Sequence, residues 1–334
     1  MRYVRSKTAM ISTLCQNRRA KREGPVRWKK GVAVACSLVL FPVSLFAESS
    51  GTKLGILTTN PGVSMADAVA SIGQVTFRDC PDACPEMVVV PQGSFAMGSP
   101  AKKREALNSE LGEFFANEGP RKVVTIAKPF AVGVFEVTWA QWGECVAEGA
   151  CNGAAPEATG GDNGWGKGKH PVIEVSWHHA KTYTAWLSEK TGYKYRLLTE
   201  AEWEYAARAK SQTNFSWGEK VDRAKANCNG CGSKWDNHQT AEVGEFPPND
   251  FGIYDMHGNV AEWVEDCWED SYESLPSDGS ARTKDKCLLR VVRGGAWNLR
   301  PMYLRSAARD CYHPGDQLNT VGFRVARTIS TEND

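Results

Sequence analysis

The stretch NDFGIYDMHGNVAEW, Asn249 to Trp263, interleaves turn formers with large apolar residues. It shows neither the 3.6-residue period of an amphipathic helix nor the alternation of a half-buried strand. It therefore predicts an ordered, turn-rich loop leading into the core. Working outward, RVVRGGAW (Arg290 to Trp297) reads as a short strand stopped by a Gly-Gly turn, and GFRVAR (Gly322 to Arg327) as another short strand. Upstream, Met87 to Phe95 has the β-branched run of a strand followed by a tight bend, and Val123 to Val137 repeats that character around Lys128-Pro129. Three helix starts are marked by hydroxyl caps. Thr138 with Gln141 opens a helix to about Gly149, Thr199 with Glu202 opens Glu200 to Ala209, and Ser176 opens one that stops at Gly192. Beyond Lys210 the chain is rich in Gly, Asn, Asp and Pro, which predicts a core held by loops and disulfides.

The chain has 334 residues, 42% of them hydrophobic and 24% charged, the composition of a globular protein. Its start differs from the rest. A basic segment precedes the apolar run Gly31 to Phe46, which ends at Ala47 before Glu48-Ser-Ser, so residues 1–47 read as a signal peptide for export to the periplasm or beyond. An uncleaved membrane anchor is the alternative. Residues 48–79 read as a Gly/Ser/Thr/Ala-rich linker, and residues 80–330 as one domain. Removing residues 1–47 takes ten basic residues and one acidic residue, leaving 30 Lys and Arg against 38 Asp and Glu and changing the formal charge from +1 to −8. An acidic mature chain argues against nucleic-acid binding, which depends on neutralising phosphates.

Nine of the eleven cysteines lie after residue 47. In an exported chain the near pairs Cys80/Cys84, Cys145/Cys151, Cys228/Cys231 and Cys267/Cys287 are expected as disulfides. A zinc site from Cys80, Cys84, Cys228 and Cys231 is the sharper alternative. Cys311 is left over, either inert or the one reactive thiol.

Seven landmarks in order carry a family resemblance: MVVVPQGSFAMGS (Met87 to Ser99), EVTWAQW (Glu136 to Trp142), HPVIEVSW (His170 to Trp177), RLLTEAEWEYAAR (Arg196 to Arg208), FGIYDMHGNVAEW (Phe251 to Trp263), RVVRGGAW and GFRVAR. Together they resemble the formylglycine-generating-enzyme, or sulfatase-modifying-factor, family. The resemblance implies an α+β, complex C-type-lectin-like single domain with much ordered coil. It also implies two calcium sites. One uses the side chains of Asp255 and Glu262 with the carbonyls of Gly258 and Val260; the other uses Asn227, Cys228, Asp236 and His238. Calcium suits such loops because it takes several oxygen ligands from carboxylates and carbonyls. The bland alternative at the first loop is that Asp255 caps backbone amides while Glu262 pairs with an arginine.

The family's oxidases hold copper(I) between two thiolates just after the Arg-Gly-Gly element, a soft pair suited to that ion. Here Ala296 to Arg309 contains no cysteine, and Leu299 stands where the first would be. Copper is therefore not expected. Trp297, Asn298, Tyr303, Arg305 and Arg309 are the candidate substrate-groove residues, whereas Arg293 and Arg324 read as buried donors tying loop carbonyls together. An iron site from His257, His313 and a carboxylate is the speculative metal alternative to core or solvent-facing histidines.

The function expected from the resemblance is an accessory or maturation role on a periplasmic protein or peptide, as in relatives without these cysteines that mature siderophores or copper enzymes. The alternatives are an oxidoreductase using another metal or Cys311, and a non-catalytic binding module.

Overall fold

The computed structural model describes residues 75–329, apart from 82, 112 and 152–160. The leader expected at 1–47 lies outside the described residues. Among the described residues no helix is long and apolar enough to cross a membrane.

Among the described residues three sheets and four α-helices make an α+β domain. The five-stranded sheet runs β1 (Thr76–Phe77), β2 (Met87–Val90), β5 (Phe130–Gly133), β11 (Val325–Thr328), β6 (Tyr195–Leu197), with every neighbouring pair antiparallel. A hairpin of β3 (Gly93–Met97) and β4 (Lys122–Ile126) lies apart from it. The four-stranded sheet runs β10 (Val321–Phe323), β7 (Ala261–Cys267), β8 (Arg290–Arg293), β9 (Arg309–Tyr312); β10 runs parallel to β7 and the others are antiparallel. One residue, Arg324, joins β10 of this sheet to β11 of the other. The expected strand from Met87 to Phe95 is two strands. Pro91 interrupts it, since proline has no N–H to give a ladder.

The helices are α1 (Ala101–Leu111), α2 (Trp139–Ala147), α3 (Trp177–Thr191) and α4 (Glu200–Arg208). All three expected starts carry reciprocal capping boxes. Thr138 works with Gln141, Thr199 with Glu202, and Ser176 with His179, whose Nδ1 accepts from the Ser176 amide. Gly192 closes α3 at φ 75°, a left-handed conformation that glycine adopts without steric cost. Helix α1 was not expected, because AKKREALNSEL lacks an apolar stripe.

Two large apolar clusters fill the molecule. One stacks Trp142 on Tyr183, with ring centroids 6.0 Å apart and Phe323 edge-on to both. The other gathers Trp203, Met97, Val291 and Tyr272. All four expected disulfides are present. Cys80, Cys84, Cys228 and Cys231 are consumed in two separate bridges, which removes the zinc alternative.

Candidate functional site

Strand β8 ends on Gly294 and Gly295, at φ 94° and 72°. A Cβ on Gly295 would sit 2.8 Å from the Tyr303 carbonyl oxygen, so only glycine allows the returning segment to approach this closely. That segment, a 3-10 turn at Pro301–Tyr303, closes one side of a cavity, and β9 closes the other. The cavity has a free volume of about 30 Å³; Phe115, Asn298, Leu299, Tyr303, Asp310 and Tyr312 are among its lining residues.

Three of the five expected groove residues, Asn298, Tyr303 and Arg309, line this cavity. Trp297 is outside the lining; its Nε1 donates to the Asn319 carbonyl at 3.1 Å and its ring meets Trp165 edge-on. Arg305 also lies elsewhere. It forms a buried pair with Glu118 at 2.6 and 2.9 Å, beside a smaller polar hollow that includes Lys103 and Arg208.

Behind the cavity is a buried ion network that the sequence did not announce. Every residue of α4 is buried, so its acids must find partners inside. Glu200 accepts from Arg309 at 2.7 and 2.8 Å and from the Tyr272 hydroxyl at 3.2 Å, with Arg293 at 3.7 Å and Arg282 at 3.8 Å. Glu204 accepts from Arg293 at 2.5 Å and from Arg208 at 2.7 Å. Against the burial that opposes a charged carboxylate, these guanidiniums hold Glu200 below the usual range. Arg293 also donates to the Ser306, Ala307 and Ala308 carbonyls, which anchors the cavity wall. The available signal was the polar periodicity of EAEWEYAAR in a helix with too many aromatics to lie on a surface.

Cys311 belongs to the second apolar cluster, whereas its strand neighbours Asp310 and Tyr312 line the cavity. Its side chain is fully buried on β9, so it is not an exposed thiol. His257 is fully engaged. Its Nδ1 faces the Leu304 carbonyl at 2.7 Å and its Nε2 accepts the Ser216 amide at 3.2 Å, leaving neither nitrogen for iron. His313, exposed, accepts the Gly315 amide through Nδ1. Among the described residues no group of three or more His, Cys, Asp or Glu side chains is arranged to hold a metal.

Burial pushes His257 down to about 4, from an ordinary value of 6.5. The unfolded chain therefore binds a proton that the folded one refuses between those values, so stability is full above pH 6.5 and is lost as pH falls toward 4. The loss attributable to this residue should reach about 3 kcal/mol, at roughly 1.4 kcal/mol per unit. His257→Gln, which can still donate and accept, should flatten that limb in urea denaturations run across the window. An unchanged slope would contradict the assignment.

The first expected calcium loop holds both of its side chains in the core. Glu262 accepts from Arg324 Nη2 at 2.9 Å, from its Nε at 3.1 Å, and from Trp203 Nε1 at 2.8 Å. Asp255 accepts the Gly244 amide through Oδ2 at 2.8 Å. Its Oδ1 is buried with no hydrogen-bond partner among the described residues. Glu136, from the EVTWAQW landmark, is in the same position. Oε1 accepts from Asn259 at 3.2 Å and Oε2 has no partner among the described residues. Burial first, then the Asp255 charge, holds Glu136 well above the usual carboxylate range; burial also pushes Asp255 up to about 6. Val260 is buried in the first apolar cluster, and the Gly258 amide donates to the Gly294 carbonyl.

The second loop packs on the first, with the Asn259 amide donating to the Asn227 carbonyl at 2.9 Å. Its side chains are occupied. Asp236 accepts the Gly230 and Gly232 amides at 2.8 and 2.7 Å, and Asn227 bonds to Ser233 and the Gln239 carbonyl. The Cys228–Cys231 bridge stiffens this loop, and the His238 amide turns back to the Trp235 carbonyl. The unpartnered oxygens of Asp255 and Glu136 suit a cation better than this closed loop does.

Comparison with known proteins gives the fold its kin. The family model described as the sulfatase-modifying factor enzyme 1-like domain matches residues 74–329. The solved structure of PvdO from Pseudomonas aeruginosa is 40% identical, with a TM-score of 0.63, covering 76% of this chain and 97% of that one. A formylglycine-generating enzyme of Thermomonospora curvata is 35% identical over 47% of this chain and 55% of its own length. A Chlamydia pneumoniae protein named serine/threonine-protein kinase pkn1 is 37% identical over 49% of this chain, but the match spans only a quarter of that protein. A mouse protein named inactive C-alpha-formylglycine-generating enzyme 2 is 31% identical over 64% of this chain and 74% of its own. With the family model matching residues 74–329, this chain belongs to the sulfatase-modifying-factor, formylglycine-generating-enzyme-like family.

Proposed function

We propose that this protein is an exported accessory or maturation factor that handles a periplasmic protein or peptide in the cavity beside the Gly294-Gly295 turn, without the copper chemistry of the family's oxidases. The observation that carries this reading is the composition of the cavity wall. Where a soft thiolate pair would be needed for copper(I), the lining offers Asn298, Leu299, Tyr303, Asp310 and Tyr312, and no cysteine. The wall is nevertheless anchored by Arg293 and Arg309, each held by a buried carboxylate, so it forms a rigid and shaped surface. The 40% identity to PvdO over nearly all of that chain supports a shared fold and cavity.

Calcium is the metal this reading takes. Asp255 and Glu136 would hold it through their unpartnered oxygens, and its chemistry there would be to neutralise two buried carboxylates and brace the loop behind the cavity. Elemental analysis of the purified mature chain, with thermal unfolding in calcium and in chelator, tests this. Calcium alone, with a melting temperature lowered by chelator, is the expected result. Stoichiometric copper or iron would favour an oxidoreductase instead.

A further inference from the structure

We propose that Asp266 is a proton-operated latch. While its carboxyl is neutral it fastens residues 268–289, the loop joining β7 to β8, to the first turn of α4; when ionised it lets that loop lift. The device belongs to the fold and does not depend on what the cavity takes.

Asp266 lies on β7 and is fully buried. Its Oδ2 accepts the Glu200 amide, the first of α4, at 2.7 Å, and its Oδ1 accepts the Arg282 amide at 2.8 Å. One side chain thus joins a helix end to the middle of the loop. Beside it the Cys267 amide donates to the Arg282 carbonyl at 2.8 Å, and the Thr199 hydroxyl donates to the Gly279 carbonyl at 2.8 Å. The same loop supports the cavity wall, because the Glu269 carbonyl accepts from Arg309 Nη1 at 2.8 Å and Arg309 lines the cavity.

The partners set Asp266 apart from its neighbours. The buried Glu118, Glu200, Glu204 and Glu262 each bond a guanidinium, whereas among the described residues Asp266 bonds two neutral amides and no cation. Charged groups face it from three elements: Glu200 from α4, Arg282 from the loop and Arg290 from β8. Around Glu200 stand Arg293, Arg309 and the Tyr272 hydroxyl, and one turn along α4 Glu204 bonds Arg293 and Arg208. Burial first, then the Glu200 charge, pushes Asp266 up from 3.8 to about 7, against the pull of the two amides and Arg282. The closed loop therefore keeps a proton that a lifted, hydrated Asp266 releases between those values. Its contribution to closure is full below 3.8 and is lost as pH rises through about 7. Across that window the opening equilibrium should rise about tenfold per pH unit, then level off.

Hydrogen exchange of the Glu200 and Arg282 amides in the full chain, corrected for intrinsic rates and run between about pH 5 and 9, reads the latch. The Val132 amide, on the central strand β5 of the five-stranded sheet, is the reference. Protection of both latch amides should fall about tenfold per pH unit up to about 7 and then flatten, remaining below that of Val132 throughout. Asp266→Asn, a neutral isostere of the protonated side chain, should hold their protection at its acid-side value across the range. Should that variant not fold, the 13Cγ resonance of Asp266 in the unaltered chain decides: a titration midpoint of about 7 supports the latch and one of about 4 overturns it. Protection indifferent to pH, or a slope that persists in Asp266→Asn, also overturns it. So does protection equal to that of Val132 at every pH, since the amides would then open only when the whole domain unfolds.

Discussion

Glu200→Ala is expected to destabilise this domain by about 3–5 kcal/mol, the cost of breaking a buried ion pair by removing one partner. Its carboxylate is fully buried and bonds Arg309 twice, with Arg293 and Arg282 within 4 Å. Without it, Arg309 keeps only the Asn117 and Glu269 carbonyls and its stacking on Trp268 and Tyr272, none of which neutralises its charge. Such a loss is a large part of a total stability of about 5–15 kcal/mol. Glu265→Ala is the internal control. It breaks the Lys181–Glu265 pair, a partly exposed contact worth about 0–1 kcal/mol. Denaturant unfolding of both variants checks the contrast, and equal small losses would show that the network is not what holds the cavity wall.

The two arginines read as buried donors behave as that reading requires. Arg293 ties three carbonyls of the segment after the 3-10 turn, and Arg324 ties the Gly133 and Tyr254 carbonyls while pairing with Glu262. Arg305 and Arg309 are the two expected at a groove. They too are buried and paired, with Glu118 and Glu200. Nothing in a linear sequence tells which of four similar arginines meets a distant acid; those partners lie 187 and 109 residues away. Local chemistry was legible for the opposite reason. A hydroxyl cap acts on an amide three residues on, so Thr138, Ser176 and Thr199 mark their helices without reference to the rest of the chain. The near-neighbour disulfides were legible on the same ground.

Glu136 shows what lies between those cases. Its neighbours Val137 and Thr138 identify a strand-to-helix junction, but its approach to Asp255 depends on how two loops 119 residues apart pack, and only the fold reveals the two unpartnered oxygens. Asp310 and Tyr312 were missed for a simpler reason. Asp310 and Tyr312 face the cavity and Cys311 the apolar cluster, a placement set by the pairing of β9 and not by any local motif.

The second large effect concerns chemistry. Enzymes accelerate their reactions by about 10⁶-fold or more, and a copper site built on two thiolates loses that acceleration when no sulfur lines the cavity. The purified protein, supplied with copper(I), oxygen and a peptide bearing a sulfatase-type cysteine, should leave the thiol intact under conditions where a family enzyme with both cysteines converts it fully. Mass spectrometry of the peptide reads the outcome directly: an unchanged cysteine is the predicted result, and an aldehyde formed at a rate above the protein-free control would contradict the account.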